Sequence, residues 1–255
     1  MTAARLAHAL SGDPRAPVLV LGCSLGTTMA MWEPQVQALG AHHQVLSFEP
    51  RGHGGSEVTR GPYSIAELGG DLVALVDSLG LERMSYCGLS LGAMIGMWFA
   101  ANSPERVDRL ALCCTSARLG TPAMWSERAQ RVRAGGTAGE VQASIERWFT
   151  AGFRAREPAA VARAAAWLRA TPAEGYAGCC EAIGAMDLRP ALARITAPTL
   201  VVAGDQDAAT PPEHAEAIVA AIPSASLHVV AGAAHLANLE QPAAVTRLLV
   251  DHLVV

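Results

Sequence analysis

The stretch Tyr86–Gly96, YCGLSLGAMIG, decides how the rest of the chain is read. The apolar run MSYC ends at Gly88, a serine follows at 90, and a helical pattern, LGAMIGMWFAA, opens at once. A serine bracketed by glycines two residues away on each side marks a sharp strand-to-helix turn. Such a turn holds the serine in a strained backbone conformation, and side chains at 88 and 92 would collide with the neighbouring strand or helix. Its Oγ stands free at the carboxyl end of a sheet, beside the amides and positive dipole end of a helix N-terminus. Ser90 is therefore read as a nucleophile rather than as a turn-forming serine. The five-residue pattern alone is weak, and the strand before it and helix after it supply the weight.

Outward from this turn, six short apolar runs read as strands: 16–22, 44–50, 83–88, 109–114, 198–204 and 226–232. Their near-continuous apolar character suits parallel strands covered on both faces. Helical patterns lie between them at 64–80, 211–223 and 241–253. The first carries Ile65, Leu68, Leu72, Leu75, Val76 and Leu79 on one stripe, with Ser64 and Glu67 spaced for a capping box and Gly80 at its end. The alternation predicts an α/β fold with a mostly parallel central sheet flanked by helices. Between about 117 and 190 the strand rhythm stops. Helices are predicted over 122–134, 138–153, 157–170 and 172–187, a helical insertion after the fourth of the six strands. Residues 1–116 and 191–255 are thus expected to form the core domain and 117–190 a helical cap.

A serine nucleophile needs a base, and the base needs an orienting acid. Along this class of fold they follow in the order Ser, acid, His. Of the histidines beyond Gly204, His228 lies in a strand and His252 on the last helix. His235 lies in the small-residue loop GAAHLANLEQP after the last strand, at the sheet edge that carries Ser90, and is the expected base. The acid is sought in AGDQDAATPP. Asp205 sits at the strand end, where the turn claims it, and Asp207 is placed to reach the histidine loop. The oxyanion hole is expected from the backbone N–H of Leu91 and of Leu25 in GCSLGTTMAMW, with Ser24 the alternative to Leu25. The glycine-rich RGHGGS (51–56) lacks the phosphate-loop pattern, and His53 within it is read as structural.

Composition excludes several classes. Hydrophobic residues make up 51% and charged residues 16%, which argues for a substantial core and against disorder. A net charge of -4 argues against nucleic acid as a partner. All 19 basic residues are arginine, so lysine chemistry is excluded. The 6 cysteines have no metal-ligand spacing and read as buried free thiols of a reducing cytoplasm. No signal peptide or membrane span is evident, so a cytoplasmic location without membrane association is expected.

From VLVLGCSLG through RGHGGS, GLSLG and GDQDAATPP to GAAHLANLEQP, the sequence resembles the α/β-hydrolase fold family. Within it the chain is most similar to the 3-oxoadipate enol-lactonases of aromatic catabolism. The similarity extends to segments outside the catalytic motifs: SLGTTMAMW, GPYSIAELGGDLVALVDSLG, NSPERVDRLAL, EGYAGCCEAIGAMDLRP and HLANLEQP. The resemblance implies triad roles for Ser90, Asp207 and His235, no metal, no organic cofactor, and a small anionic lactone as substrate, opened through an acyl-enzyme. Three positions depart from the family pattern. Cys23 stands where an asparagine is usual, Glu49 where an aspartate is usual, and Pro50 is atypical. Some relatives carry a fused decarboxylase domain of the carboxymuconolactone type, which this chain is expected to lack. An anionic substrate calls for an arginine fork. Trp125 and Arg128, three apart on the first cap helix, are the leading candidates, with Arg131, Arg133 and Arg147 as alternatives and Trp148 assigned to the core. The competing readings are a general carboxylesterase or a cofactor-free haloperoxidase-like perhydrolase, and more remotely a slow-turnover ligand receptor on the same fold.

Overall fold

Seven strands assemble into one sheet in the order β1-β3-β2-β4-β5-β6-β7 in a computed structural model that describes residues 3–254. The strands are β1 (His8–Ser11), β2 (Val18–Gly22), β3 (Gln44–Phe48), β4 (Met84–Leu89), β5 (Val107–Cys113), β6 (Thr199–Gly204) and β7 (Ala225–Val230). All neighbours pair in parallel except β1 with β3. The six apolar runs of the sequence are β2 to β7, with ends that differ by at most two residues. β1 has no counterpart among them. All four of its residues are exposed, so it carries no apolar pattern, and only pairing with β3 makes it a strand.

The chain passes from β2 to β3 on one side and reaches β4 on the other, so a topological switch point lies between β2 and β4. Their ends are in register, Gly22 opposite Gly88. Ligands of open α/β sheets bind in the crevice at such a point. The loop after β2 and the turn after β4 flank it.

The helices follow from local signals. Helix α1 is Glu33–Leu39 and α2 is Ile65–Ser78. The α2 capping box is formed: Glu67 N–H donates to Ser64 Oγ at 3.2 Å and Ser64 N–H to Glu67 Oε2 at 2.8 Å. Gly80 lies just past its end at φ +68°. Helix α3 (Leu91–Asn102) is buried on nearly every side and packs against α2 and β4. Arg51 and Asp71 form a buried bidentate pair, Nε–Oδ2 2.7 Å and Nη2–Oδ1 2.6 Å, which fixes the loop after β3 against α2.

Residues 117–190 are helical: α4 (Pro122–Gly135), α5 (Val141–Trp148), α6 (Ala151–Arg156), α7 (Pro158–Ala170) and α8 (Ala173–Ala185). The single helix expected over 138–153 is broken. A 3-10 turn, Thr137–Glu140, precedes α5, and Phe149 and Thr150 are extended before α6. The break has a tertiary cause. Leu236 N–H donates to Trp148 O at 3.0 Å, and the buried Glu240 carboxylate accepts Thr150 N–H at 3.1 Å and the Thr150 hydroxyl. The helical segment meets the core through paired glycines. A Cβ on Gly52 would lie 2.2 Å from Gly175 Cα, so only glycine permits this approach. The remaining helices are α9 (Pro212–Ala221), the short α10 (Ala237–Glu240) and α11 (Pro242–Leu253). All six cysteines are buried and free.

Candidate active site

Ser90 sits between β4 and α3 at φ 54°, ψ -114°, a conformation that costs a non-glycine residue about 1–3 kcal/mol. Its neighbours enforce it. A Cβ on Gly88 would fall 2.4 Å from Gly92 C, and one on Gly92 would fall 2.3 Å from Gly22 C and O. The turn is pinned by Ser90 N–H donating to Cys113 O at 2.9 Å, Thr115 Oγ1 to Ser90 O at 3.0 Å and Tyr86 OH to Gly92 O at 2.7 Å.

His235 and Asp207 meet from two other loops. His235 Nδ1 lies 2.8 Å from Asp207 Oδ2, and the residues are 4% and 3% exposed, so the pair is screened from bulk water. Asp207 also receives Ala209 N–H at 2.8 Å and Thr210 N–H at 2.9 Å on Oδ1, and the Thr210 hydroxyl at 2.7 Å on Oδ2. Burial acts to raise the Asp207 carboxyl, but the His235 charge and these hydrogen bonds outweigh it and hold it below its ordinary value. With Nδ1 turned to Asp207, the other ring nitrogen is left for the cavity that Ser90 and His235 both line. Ser90 and His235 are not hydrogen-bonded to each other here. Asp205 is tied into its turn, accepting Ala233 N–H at 3.2 Å. His228 is exposed on β7, and His252 bonds to Leu110 O at 3.0 Å, both apart from this cavity.

The amides of the loop after β2 differ in whether they have an acceptor. Ser24 N–H is engaged by Met31 Sδ at 3.3 Å, Gly26 N–H by His53 Nε2 at 2.9 Å and Thr27 N–H by Ser24 O at 3.2 Å. Leu25 N–H and Leu91 N–H have no acceptor among the described residues, and Ser24 and Leu25 both line the cavity. Between Leu25, the expected donor, and Ser24, the alternative, only the Leu25 amide is without an acceptor among the described residues. The family departures are accommodated nearby. Cys23 Sγ donates to Phe48 O at 3.1 Å, and Glu49 accepts Met29 N–H at 3.2 Å and Gly55 N–H at 2.8 Å.

Burial pushes His53 down to about 4 from an ordinary 6.5, so the ring is neutral. The unfolded chain takes up this proton below pH 6.5 while the folded chain does not, so stability falls as pH drops from 6.5 to 4. The shift corresponds to about 3 kcal/mol, and burial of His43 and His252 acts in the same direction. Urea midpoints measured between pH 7 and pH 4 are expected to fall steadily, and a flat profile would refute this assignment.

The cavity that Ser90 and His235 share is small, about 50 Å³. Trp125, Arg128, Arg147 and Trp148 line it; Trp148 is buried in the hydrophobic core as expected, and Trp125 is part of that core too. Trp125 is fixed by Nε1–H donating to Leu119 O at 2.8 Å. Arg128 lies over the Trp125 and Tyr176 rings at 5.5 and 5.4 Å. Its Nε is 2.9 Å from Glu140 Oε2, at ion-pair distance but without hydrogen-bond alignment. Arg131 shares Glu140, and Arg133 is bound to Glu174 and Glu181. Arg147 has no carboxylate at ion-pair distance among the described residues. Burial, with the Arg128 charge added, pushes its guanidinium below the ordinary value. Arg128 Nη2 and Arg147 Nη2 converge on Ser144 Oγ, at 3.2 and 3.4 Å. Arg128 is paired with Glu140 and Arg147 with no carboxylate at ion-pair distance among the described residues, which leaves uncompensated positive charge at the cavity wall.

Residues 16–242 match the family model described as the alpha/beta hydrolase fold. The chain belongs to the alpha/beta hydrolase fold family. Two curated members are the 3-oxoadipate enol-lactonases 2 and 1 of Acinetobacter baylyi. This hydrolase is 38% identical to the first over 94% of its own length and 89% of the relative's. It is 34% identical to the second over 91% and 87%. The solved enol-lactonase of Burkholderia xenovorans LB400 superposes with a TM-score of 0.96 at 41% identity, covering 98% of this chain and 96% of that one. The chain is a hydrolase of the enol-lactonase class. Among the described residues, no helix of this family member is long and apolar enough to cross a membrane.

Proposed function

We propose that this alpha/beta hydrolase opens 3-oxoadipate enol-lactone, with Ser90 as nucleophile, His235 as general base and Asp207 as the orienting acid, in the catabolism of aromatic compounds. Residues 117–190 act as the cap over the site. The observation that carries the substrate class is the pair of guanidiniums, Arg128 and Arg147, converging within 3.4 Å of one hydroxyl beside a cavity that also holds Ser90 and His235. A half-buried cation without a counter-ion favours a ligand that brings a carboxylate.

Ser90 Oγ gives its proton to His235 and attacks the lactone carbonyl. The Leu91 and Leu25 amides receive the oxyanion. Collapse breaks the ring C–O bond and expels an enol or enolate, which takes the proton from His235 and tautomerises to the ketone. Water, deprotonated by the same histidine, then cleaves the acyl-enzyme and releases 3-oxoadipate. Arg147 anchors the free carboxylate, and Arg128, held by Glu140 and stacked between two rings, walls the same subsite.

The test is steady-state hydrolysis of freshly generated enol-lactone, followed by ultraviolet loss of the lactone, beside p-nitrophenyl acetate. The expected kcat/KM for the lactone is at least ~10⁵ M⁻¹s⁻¹ and far above the acetate value. The Arg147→Met variant should lose about 10²-fold in kcat/KM on the anionic lactone, chiefly through KM, and change little on the acetate. Turnover of the acetate without the lactone would make the protein a carboxylesterase of the same fold.

A further inference from the structure

We infer that His53, which the chemistry above does not use, is a positioning residue for the oxyanion hole: its neutral ring holds the Gly26 amide so that the preceding Leu25 amide stays aimed at the cavity. The inference rests on the proposed role of Leu25. His53 is fully buried, with Nδ1 3.3 Å from Arg51 O and Nε2 2.9 Å from Gly26 N. The Arg51 carbonyl accepts, so Nδ1 carries the proton, and Nε2 offers the lone pair that Gly26 N–H requires. A ring protonated on both nitrogens would have nothing to offer that amide, and burial keeps the ring neutral.

The loop is clamped from the other side as well. Gly26 stands at φ +76°, and a Cβ there would lie 2.6 Å from Leu168 Cδ1 and 3.2 Å from the Tyr176 ring, both on helices of the cap. The turn is thus pressed between the cap and one imidazole. His53 is itself held by its own N–H donating to Pro50 O at 3.0 Å, by its O accepting Ser56 N–H at 2.9 Å and by the Arg51–Asp71 pair. Without an acceptor at this point the Gly26 amide would be buried and unpaired, and the turn would rotate to recover a partner. That rotation moves Leu25 N–H away from the oxyanion.

The experiment compares His53→Gln, whose side-chain oxygen reaches the Nε2 position, with His53→Leu, which fills the space and accepts nothing. Each is assayed on whichever ester the wild-type protein turns over. His53→Leu should lose about 10–10²-fold in kcat with KM within about twofold, because the oxyanion develops only in the transition state. His53→Gln should retain kcat within about fivefold, and affinity for a phosphonate mimic of the tetrahedral state should fall in step with kcat. If His53→Leu does not fold, His53→Asn, whose acceptor stops short of Gly26, replaces it. Wild-type kcat in the acceptor-less variant, or an equal loss in His53→Gln, would overturn the inference. Either result leaves the assignment of Ser90, tested by its own variant, untouched.

Discussion

Ser90→Ala is expected to lower kcat by about 10⁴–10⁶-fold and leave the fold intact. The hydroxyl does no structural work: Ser90 opens α3 without a side-chain cap hydrogen bond. The strained turn is held instead by backbone and neighbours, through Cys113 O, Thr115 Oγ1, Tyr86 OH and the close approach of Gly88 and Gly92. Alanine accepts the same backbone conformation at a similar cost, so the urea midpoint should match that of the wild type. The residual rate would come from the two amides and from binding alone. Near-normal turnover in this variant would remove the acyl-enzyme mechanism altogether.

Asp207→Asn is expected to lower kcat by about 10³–10⁴-fold. The two carboxylate oxygens face only donors: the Ala209 and Thr210 amides on one, the Thr210 hydroxyl and the His235 ring on the other. An asparagine must turn its NH₂ toward one of these sets. Turned toward His235, it selects the wrong imidazole tautomer; turned toward the amides, it breaks the turn that places the residue. Either way the negative charge that stabilises the imidazolium is gone. Because the folded carboxyl titrates below its ordinary value, its contribution to stability is complete above that value and is lost only as pH falls through the folded one. Asp205→Asn is the matched control. Its one side-chain hydrogen bond, from Ala233 N–H at 3.2 Å, is kept by the amide oxygen, so kcat should stay within about twofold. Equal losses in the two variants would place the acid at the wrong position.

Several features were legible without a fold because they depend on neighbours in sequence. The spacing of Gly88, Ser90 and Gly92 implies its turn, since a Cβ at either flank meets backbone at 2.4 Å or less. The Ser64–Glu67 box marks the start of α2 within a single turn. The apolar runs announce β2 to β7 because these strands carry buried side chains, whereas β1 is exposed throughout and announces nothing. The order of Ser90, Asp207 and His235 along the chain, with loop residues after strand ends, placed all three at one sheet edge before any distance was known.

Other features depend on groups far away in the chain. The helix expected over 138–153 looks continuous by periodicity. It breaks at Phe149 because Glu240, 90 residues from Thr150, takes that residue's amide and hydroxyl. Nothing in the sequence shows that Met31 Sδ engages the Ser24 amide and leaves that of Leu25. Spacing put Arg128 ahead of Arg147, since nothing local shows that Glu140 serves Arg128 and Arg131 while Arg147 has no carboxylate at ion-pair distance among the described residues. The sequence by itself thus determined the sheet and the strained serine turn, because sterics and periodicity act between near neighbours. Only the tertiary structure decided which amide of the loop after β2 is left without an acceptor, which arginine beside the cavity lacks a carboxylate and where the helical segment 117–190 is bonded to the histidine loop. Each of those depends on which buried donor meets which buried acceptor, and that pairing exists only once the chain has folded.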